Sequence, residues 1–184
     1  MNIRLASLKH SDEIAKLHAS SWQATYGDVL NESYLKDIVP SERISVWRNH
    51  LKNLKVNQIV LIAEDNDAVI GFACAFAGEH LEWGSYLDNL HVAQSHQGRG
   101  LGRHLLVTVA SLCEQKCPKQ GLYLLVNQTN VRAQQFYHSL GANNAQASIW
   151  NAPDGNQVPT FRFAWNSTIE LAKHQSTSFH FAND

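Results

Sequence analysis

The chain has 184 residues, with 15 Lys and Arg against 16 Asp and Glu and a formal net charge of −1. That length suits one domain with a sizeable core, and the charge balance offers neither a basic footprint for nucleic acid nor an acidic tail. No run of about eighteen apolar residues predicts a membrane span, the first residues do not read as a signal peptide, and three cysteines (Cys74, Cys113, Cys117) fit a reducing cytoplasm better than a disulfide framework.

Ile3, Leu5 and Ser7 alternate as a short first strand, and Ser11 stands where a helix N-cap belongs. Ile14, Leu17, His18 and Trp22 then share one helical face, which Thr25-Tyr26-Gly27 ends. A second helical region covers residues 33–54, with an interruption expected near Val39-Pro40. From Gln58 the period changes to that of strands. Residues 58–64 and 69–77 read as a hairpin around Asp65-Asn66-Asp67, and a third strand covers residues 83–92.

After a glycine-rich turn, Leu101, Leu105, Leu106, Val109, Leu112 and Cys113 line one face of a helix that Pro118 closes. Cys113 and Cys117, four apart on it, read as residues on or near a buried face rather than metal ligands, and no His/Cys spacing predicts a metal site. Leu122–Val126 reads as a strand covered on both sides. Asn130 caps a helix carrying Ala133, Phe136, Tyr137 and Leu140, and Gly141 stops it. Two strands flank Pro153-Asp154-Gly155, with Phe161, Phe163 and Trp165 on one face. Residues 1–165 thus read as one α+β domain with a mixed sheet. Residues 166–184 read as a tail whose options are a short helix, a partner-binding arm or disorder; Asn166-Ser167-Thr168 within it matches a glycosylation acceptor only by chance.

The turn itself is an anion cradle by chemistry. Converging backbone N–H groups, a helix N-terminus and the cations Arg99 and Arg103 all favour a phosphate. The spacing fails the P-loop, and Arg103 breaks the dinucleotide fingerprint. What stands there is Gln97-Gly98-Arg99-Gly100-Leu101-Gly102, following Leu90-His91-Val92. Downstream, Asn130, Ala133, Phe136, Tyr137 and Gly141 form N-x-x-A-x-x-F-Y-x-x-x-G. In this order the two motifs resemble the GNAT superfamily of acetyl-CoA-dependent N-acetyltransferases, and the resemblance runs from Ile3 to Trp165.

That resemblance implies a three-layer α/β/α fold. Its mixed, mostly antiparallel sheet of about seven strands has a splayed central pair, the strand ending at Val92 and the strand Leu122–Val126. It implies that backbone amides from Gln97 to Arg103, which include Leu101, hold the coenzyme A pyrophosphate, and that Leu90, His91 and Val92 pair with the pantetheine arm as an added strand. Asn130 falls where the family often contacts the cofactor. The implied reaction is direct attack by a primary amine of a small molecule or peptide on acetyl-CoA, through a tetrahedral intermediate, with no metal. The N–H of Val92 would serve the oxyanion, and Tyr137 would protonate the leaving thiolate.

The amine must also lose a proton. An amine with a pKa near 10.4 is about 3.4 units from neutral, a demand of roughly 4.6 kcal/mol. One branch of the family carries a glutamate where this chain has Tyr86, so the base does not transfer by motif; Asp88, Glu82 and His91 are the alternatives. Asp88 shares strand parity with Leu90 and Val92 and is expected to face their way. Trp22, Tyr26 and the turn around Trp150-Asn151 would wall the acceptor groove, leaving amino acid, polyamine, antibiotic amine and protein amine all open. Dimers are common in the family, which makes a homodimer one expectation. Two other readings are an enzyme for a longer acyl chain and a non-catalytic acyl-CoA sensor.

Overall fold

Five α-helices and seven strands account for most of residues 1–172, which the structure, a computed structural model, describes. The first strand, β1 (Asn2–Leu5), is shorter than the alternation suggests and excludes Ser7. A 3₁₀ turn over Leu8–His10 leads straight into α1 (Ser11–Thr25), so Ser11 is already helical, with φ −56° and ψ −44°. The extended residue is Ser7, whose N–H donates to His10 Nδ1 at 2.8 Å. The expected cap at Ser11 therefore moves back four residues, because the extra turn continues the helix. Asp12 and Glu13 in the first turn of α1 complement its dipole.

The expected break near Pro40 takes another form. The chain stays helical through Pro40 into α2 (Val39–Lys52), and the strain is absorbed one turn earlier by a π-turn over Tyr34–Ile38. There the Val39 N–H reaches back to Tyr34 O. The wider turn accommodates a proline that has no N–H and whose ring would crowd a regular preceding turn.

The strands β2 (Gln58–Asp65), β3 (Ala68–His80), β4 (Gly84–Val92), β5 (Leu122–Asn127), β6 (Asn143–Asn151) and β7 (Gln157–Trp165) join β1 in one sheet ordered β1-β2-β3-β4-β5-β7-β6. Every neighbouring pair is antiparallel except β4 with β5. Asn66 and Asp67 both take left-handed φ (48° and 64°), which gives the β2–β3 hairpin its two-residue turn.

Both sheet faces are covered. Ile14, Trp47 and Leu51 of α1 and α2 pack on Val60, Ile62, Phe72 and Cys74. On the other side α3 (Leu101–Lys116) buries Leu101, Leu105, Leu106 and Val109 against Leu61, Ala73, Leu87 and Phe163. Each such aliphatic side chain contributes about 1.5–3 kcal/mol by leaving water. Tyr137 and Phe136 of α4 (Val131–Ser139) join that second cluster. A last short helix, α5 (Thr168–Ala172), follows β7, with Leu171 in the α3-side core. The rest of the tail considered above lies outside the described residues.

Two irregularities in the middle of the sheet create a site. β4 and β5 pair only at Ser85–Leu122 and Tyr86–Tyr123; among the described residues no further bridge joins them, so they diverge toward Val92. At the closed end Gly84 has φ +78°, and a Cβ there would lie 2.3 Å from Gly121 O. Ser85 N–H donates to that same oxygen at 2.9 Å. Only glycine allows the two strands this near.

Candidate active site

The divergence of β4 from β5 opens a cavity of about 270 Å³ under α1 and α2. That is near the lower end of small-molecule sites. Trp22, Tyr26 and Trp150 form one wall, their rings 5.5 to 6.0 Å apart. Trp22, Tyr26 and the Trp150 of the expected turn therefore sit together.

Asp88 enters the same cavity, by an unexpected route. Cys74 pairs with Asn89 and Ala75 with Leu87, leaving Asp88 as one extra residue in β4. Such a bulge breaks the two-residue alternation. Tyr86, Asp88, Asn89 and His91 consequently line the cavity, whereas Leu90 and Val92 pack on the α3 side. The expectation that Asp88 faces with Leu90 and Val92 fails for this reason. Asn89 donates to its carboxylate at 2.6 Å. The protein around Asp88 pushes its pKa above the usual carboxylate value, against the opposing pull of His50, Tyr86 and Arg43. A carboxylate so placed is a stronger proton acceptor than one in water. Glu82 is not brought to this place. It lies exposed on the β3–β4 turn and lines a separate hollow with Trp83 and Gly121.

Histidines make up the floor. Trp47 Nε1 donates to His18 Nδ1 at 2.9 Å, so a neutral His18 carries its proton on Nε2. Burial, with smaller contributions from His91 and Arg43, pushes its pKa well down and keeps it neutral. His91 stacks on Phe72 with centroids 5.1 Å apart, and its Nδ1 lies 2.7 Å from Ser21 Oγ. Burial lowers its pKa to about 4, so it too is neutral at physiological pH.

Arg43 of α2 lies over the Trp22 ring at 4.7 Å, and its Nη2 donates to Glu42 at 2.8 Å. His18 was legible only as part of an apolar helix face. Arg43, His50, Asn89, Asn127 and Thr160 had no distinguishing signal in the sequence at all.

At the wide end of the wedge, Gly98 (φ +75°) and Gly100 (φ +82°) are left-handed, and a Cβ built on either meets nothing within 4 Å. The loop is thus glycine for its backbone conformation, and it faces open space. Gly102 differs: it is helical, with Val92 and Phe136 3.7 Å from a notional Cβ. His104 N–H donates to Gly100 O at 3.0 Å, so the Leu101 and Gly102 N–H groups precede the helical ladder. Gln97 departs from a purely backbone role, since its side chain donates to Val92 O at 3.0 Å. Arg99 is exposed, and Arg103 is half-buried in the first turn of α3.

Asn130 caps α4 as expected, its Oδ1 accepting from Ala133 N–H at 3.1 Å. Tyr137, about two turns later, packs edge-on to Phe136 and Trp165. Its hydroxyl makes no hydrogen bond among the described residues, and burial, then the nearby Tyr26, raises its pKa. Tyr26 in turn senses Asp88. Burial raises the pKa of Tyr26 as well, so both phenols are protonated at physiological pH. Among the described residues no group of three His, Cys, Asp or Glu could hold a metal, and no helix is long and apolar enough to cross a membrane.

Comparison with known proteins agrees with this geometry. The sequence model of the acetyltransferase (GNAT) family matches residues 13–142. The uncharacterized N-acetyltransferase YuaI of Bacillus subtilis (strain 168) is 28% identical over 118 residues, 62% of this chain and 65% of that protein, slightly under two thirds of its length. The PaiA N-acetyltransferase of Thermoplasma acidophilum, solved in complex with coenzyme A, superposes with a TM-score of 0.62 at 17% identity, covering 86% of this chain and 96% of that one. A ribosomal-protein-alanine N-acetyltransferase from Brucella melitensis gives a TM-score of 0.66 at 20% identity, covering 89% and 98%. The last two are likenesses of fold.

Proposed function

The chain belongs to the acetyltransferase (GNAT) family, and on that footing we propose that it moves an acetyl group from acetyl-CoA to the primary amine of a small molecule. The observation that carries the reading is the wedge. β4 loses β5 after Tyr86, and the open, glycine-built start of α3 stands at the wide end.

The residues present fit coenzyme A. Backbone N–H groups from Gly98 to Gly102 would hold the pyrophosphate, with Arg99 and Arg103 adding charge. The edge of β4 at Leu90, His91 and Val92 offers strand-like pairing to the pantetheine arm. Asn130 has its Oδ1 committed to the helix cap, leaving its amide N–H₂ to donate. Acetyl-CoA, once bound, supplies an activated thioester.

Asp88 accepts the proton that the amine loses; its raised pKa and its position in the aromatic cavity favour it over Glu82. The Val92 N–H, on β4 past the bulge, stabilises oxyanion charge. Tyr137 donates the proton that the leaving thiolate needs, and its raised pKa keeps the phenol protonated at neutral pH. Trp22, Tyr26 and Trp150 hold the acceptor, and the cavity volume favours a small one.

The test is thiol release from acetyl-CoA across a panel of primary amines, with equilibrium binding of coenzyme A measured alongside. Turnover on at least one amine supports the proposal. Tight coenzyme A binding with no turnover on any amine, and no effect of Tyr137→Phe, would replace it with an acyl-CoA sensor.

A further inference from the structure

Resting on the acetyl-transfer reading of the same cavity, we infer that the acceptor is an amine that also carries a carboxylate. The Arg43 guanidinium and the His18 Nε2–H are the groups that hold that carboxylate. The warrant is an accounting of polar atoms. Five buried side-chain polar atoms lack a hydrogen-bond partner among the described residues, and three of them, His18 Nε2, Arg43 Nε and Thr160 Oγ1, belong to residues lining this one cavity. Buried polar groups are nearly always paired, so a cluster of orphans in one hollow points to a partner that arrives with the ligand.

The chemistry of the orphans selects its kind. Arg43 Nε can only donate. His18 Nε2 must also donate, because Trp47 occupies Nδ1 as a donor at 2.9 Å. Both therefore require an acceptor atom. Both side chains lie against Trp22: the Arg43 guanidinium is 4.7 Å over its ring, and the His18 ring centroid is 5.0 Å away, edge-on. Glu42 satisfies Nη2 of Arg43 but leaves Nε unpaired.

The charges lining the cavity match an acceptor of both signs. Among the described residues Arg43 is its one Lys or Arg and Asp88 its one Asp or Glu. A polyamine would bring several cations to a single carboxylate, whereas an amino acid brings one of each. The wall of Trp22, Tyr26 and Trp150 then takes an apolar or aromatic side chain.

The experiment compares leucine, phenylalanine and methionine with their carboxamides and with the decarboxylated amines, in wild type and Arg43→Gln. Two quantities are read: kcat/KM at saturating acetyl-CoA, and binding by quenching of tryptophan fluorescence, which needs no turnover. Blocking the carboxyl lowers amine basicity and raises the free-amine fraction, so the kinetic comparison is biased against the inference.

In wild type, acids preferred over carboxamides by about tenfold or more, and a fall of that ratio toward one in Arg43→Gln, support it. Equal binding and turnover of acids and carboxamides in wild type would overturn it, as would a ratio that Arg43→Gln leaves unchanged. The wild-type ratio decides by itself if the variant does not fold. Failure of every amine to turn over would defeat acetyl transfer, while the binding ratio would still judge the carboxylate.

Discussion

Trp47 Nε1 donates to His18 Nδ1 at 2.9 Å, and both residues are almost wholly buried between α1, α2 and β3. That bond does two things. It satisfies an indole N–H in an apolar layer, and it fixes the tautomer that His18 presents to the cavity.

Trp47→Phe is therefore expected to lose stability by about 1–3 kcal/mol for the unpaired imidazole nitrogen, apart from the smaller ring. Urea unfolding measures the loss. The ¹⁵N shifts of His18 should change from a single Nε2–H tautomer toward a mixture; an unchanged tautomer would mean that another group sets the proton.

Asp88→Asn is expected to lower kcat by about 10²-fold or more, the usual scale for a general base. The native state raises the Asp88 pKa, so it binds the proton more tightly than the unfolded chain does. The stability this group contributes is present below its unfolded pKa and is lost as pH rises through the folded one. The variant should thus melt higher than wild type at neutral pH while turning over more slowly. In wild type the acidic limb of kcat/KM should lie above the ordinary carboxylate range, and it should vanish in the variant.

Tyr137→Phe should reduce kcat far more than the affinity for coenzyme A, because the hydroxyl makes no structural hydrogen bond among the described residues. A melting temperature close to wild type is expected as well. Equal turnover would remove Tyr137 as the acid.

Gly100→Ala tests the cradle. At φ +82° a side chain adds about 1–2 kcal/mol of backbone strain at the start of α3, and its methyl enters the open space before the helix. Coenzyme A affinity should fall by about tenfold or more in calorimetry, beyond what the modest loss of stability explains. Wild-type affinity in a folded variant would show that nothing docks against this loop. Asn130→Ala removes both a helix cap and a proposed cofactor donor, with an expected stability cost of about 1 kcal/mol.

Much of this molecule was legible in advance, for physical reasons. The glycines at 98 and 100 betray a backbone that needs left-handed φ, and Asn130 and Gly141 bracket α4 by ordinary capping chemistry. Period-two reading located the strands. It failed at Asp88, because a bulge adds a residue without changing composition, and every side chain beyond it then faces the opposite way.

Arg43 was invisible for another reason. A cation on an amphipathic helix ordinarily faces water, and only the packing of α2 over Trp22 turns this one inward. Pro40 marked its irregularity correctly but not its form, since the helix widened at Tyr34–Ile38 where a break was expected.

Gly84 and Gly121 act as a fulcrum. β3 pairs with β4 along most of its length, so the contact between these two glycines fixes the point from which β4 and β5 part. A methyl group added at position 84 would press on the Gly121 peptide and force the two strands apart where they now meet. The opening beside the aromatic cavity thus begins at two residues that do not line it.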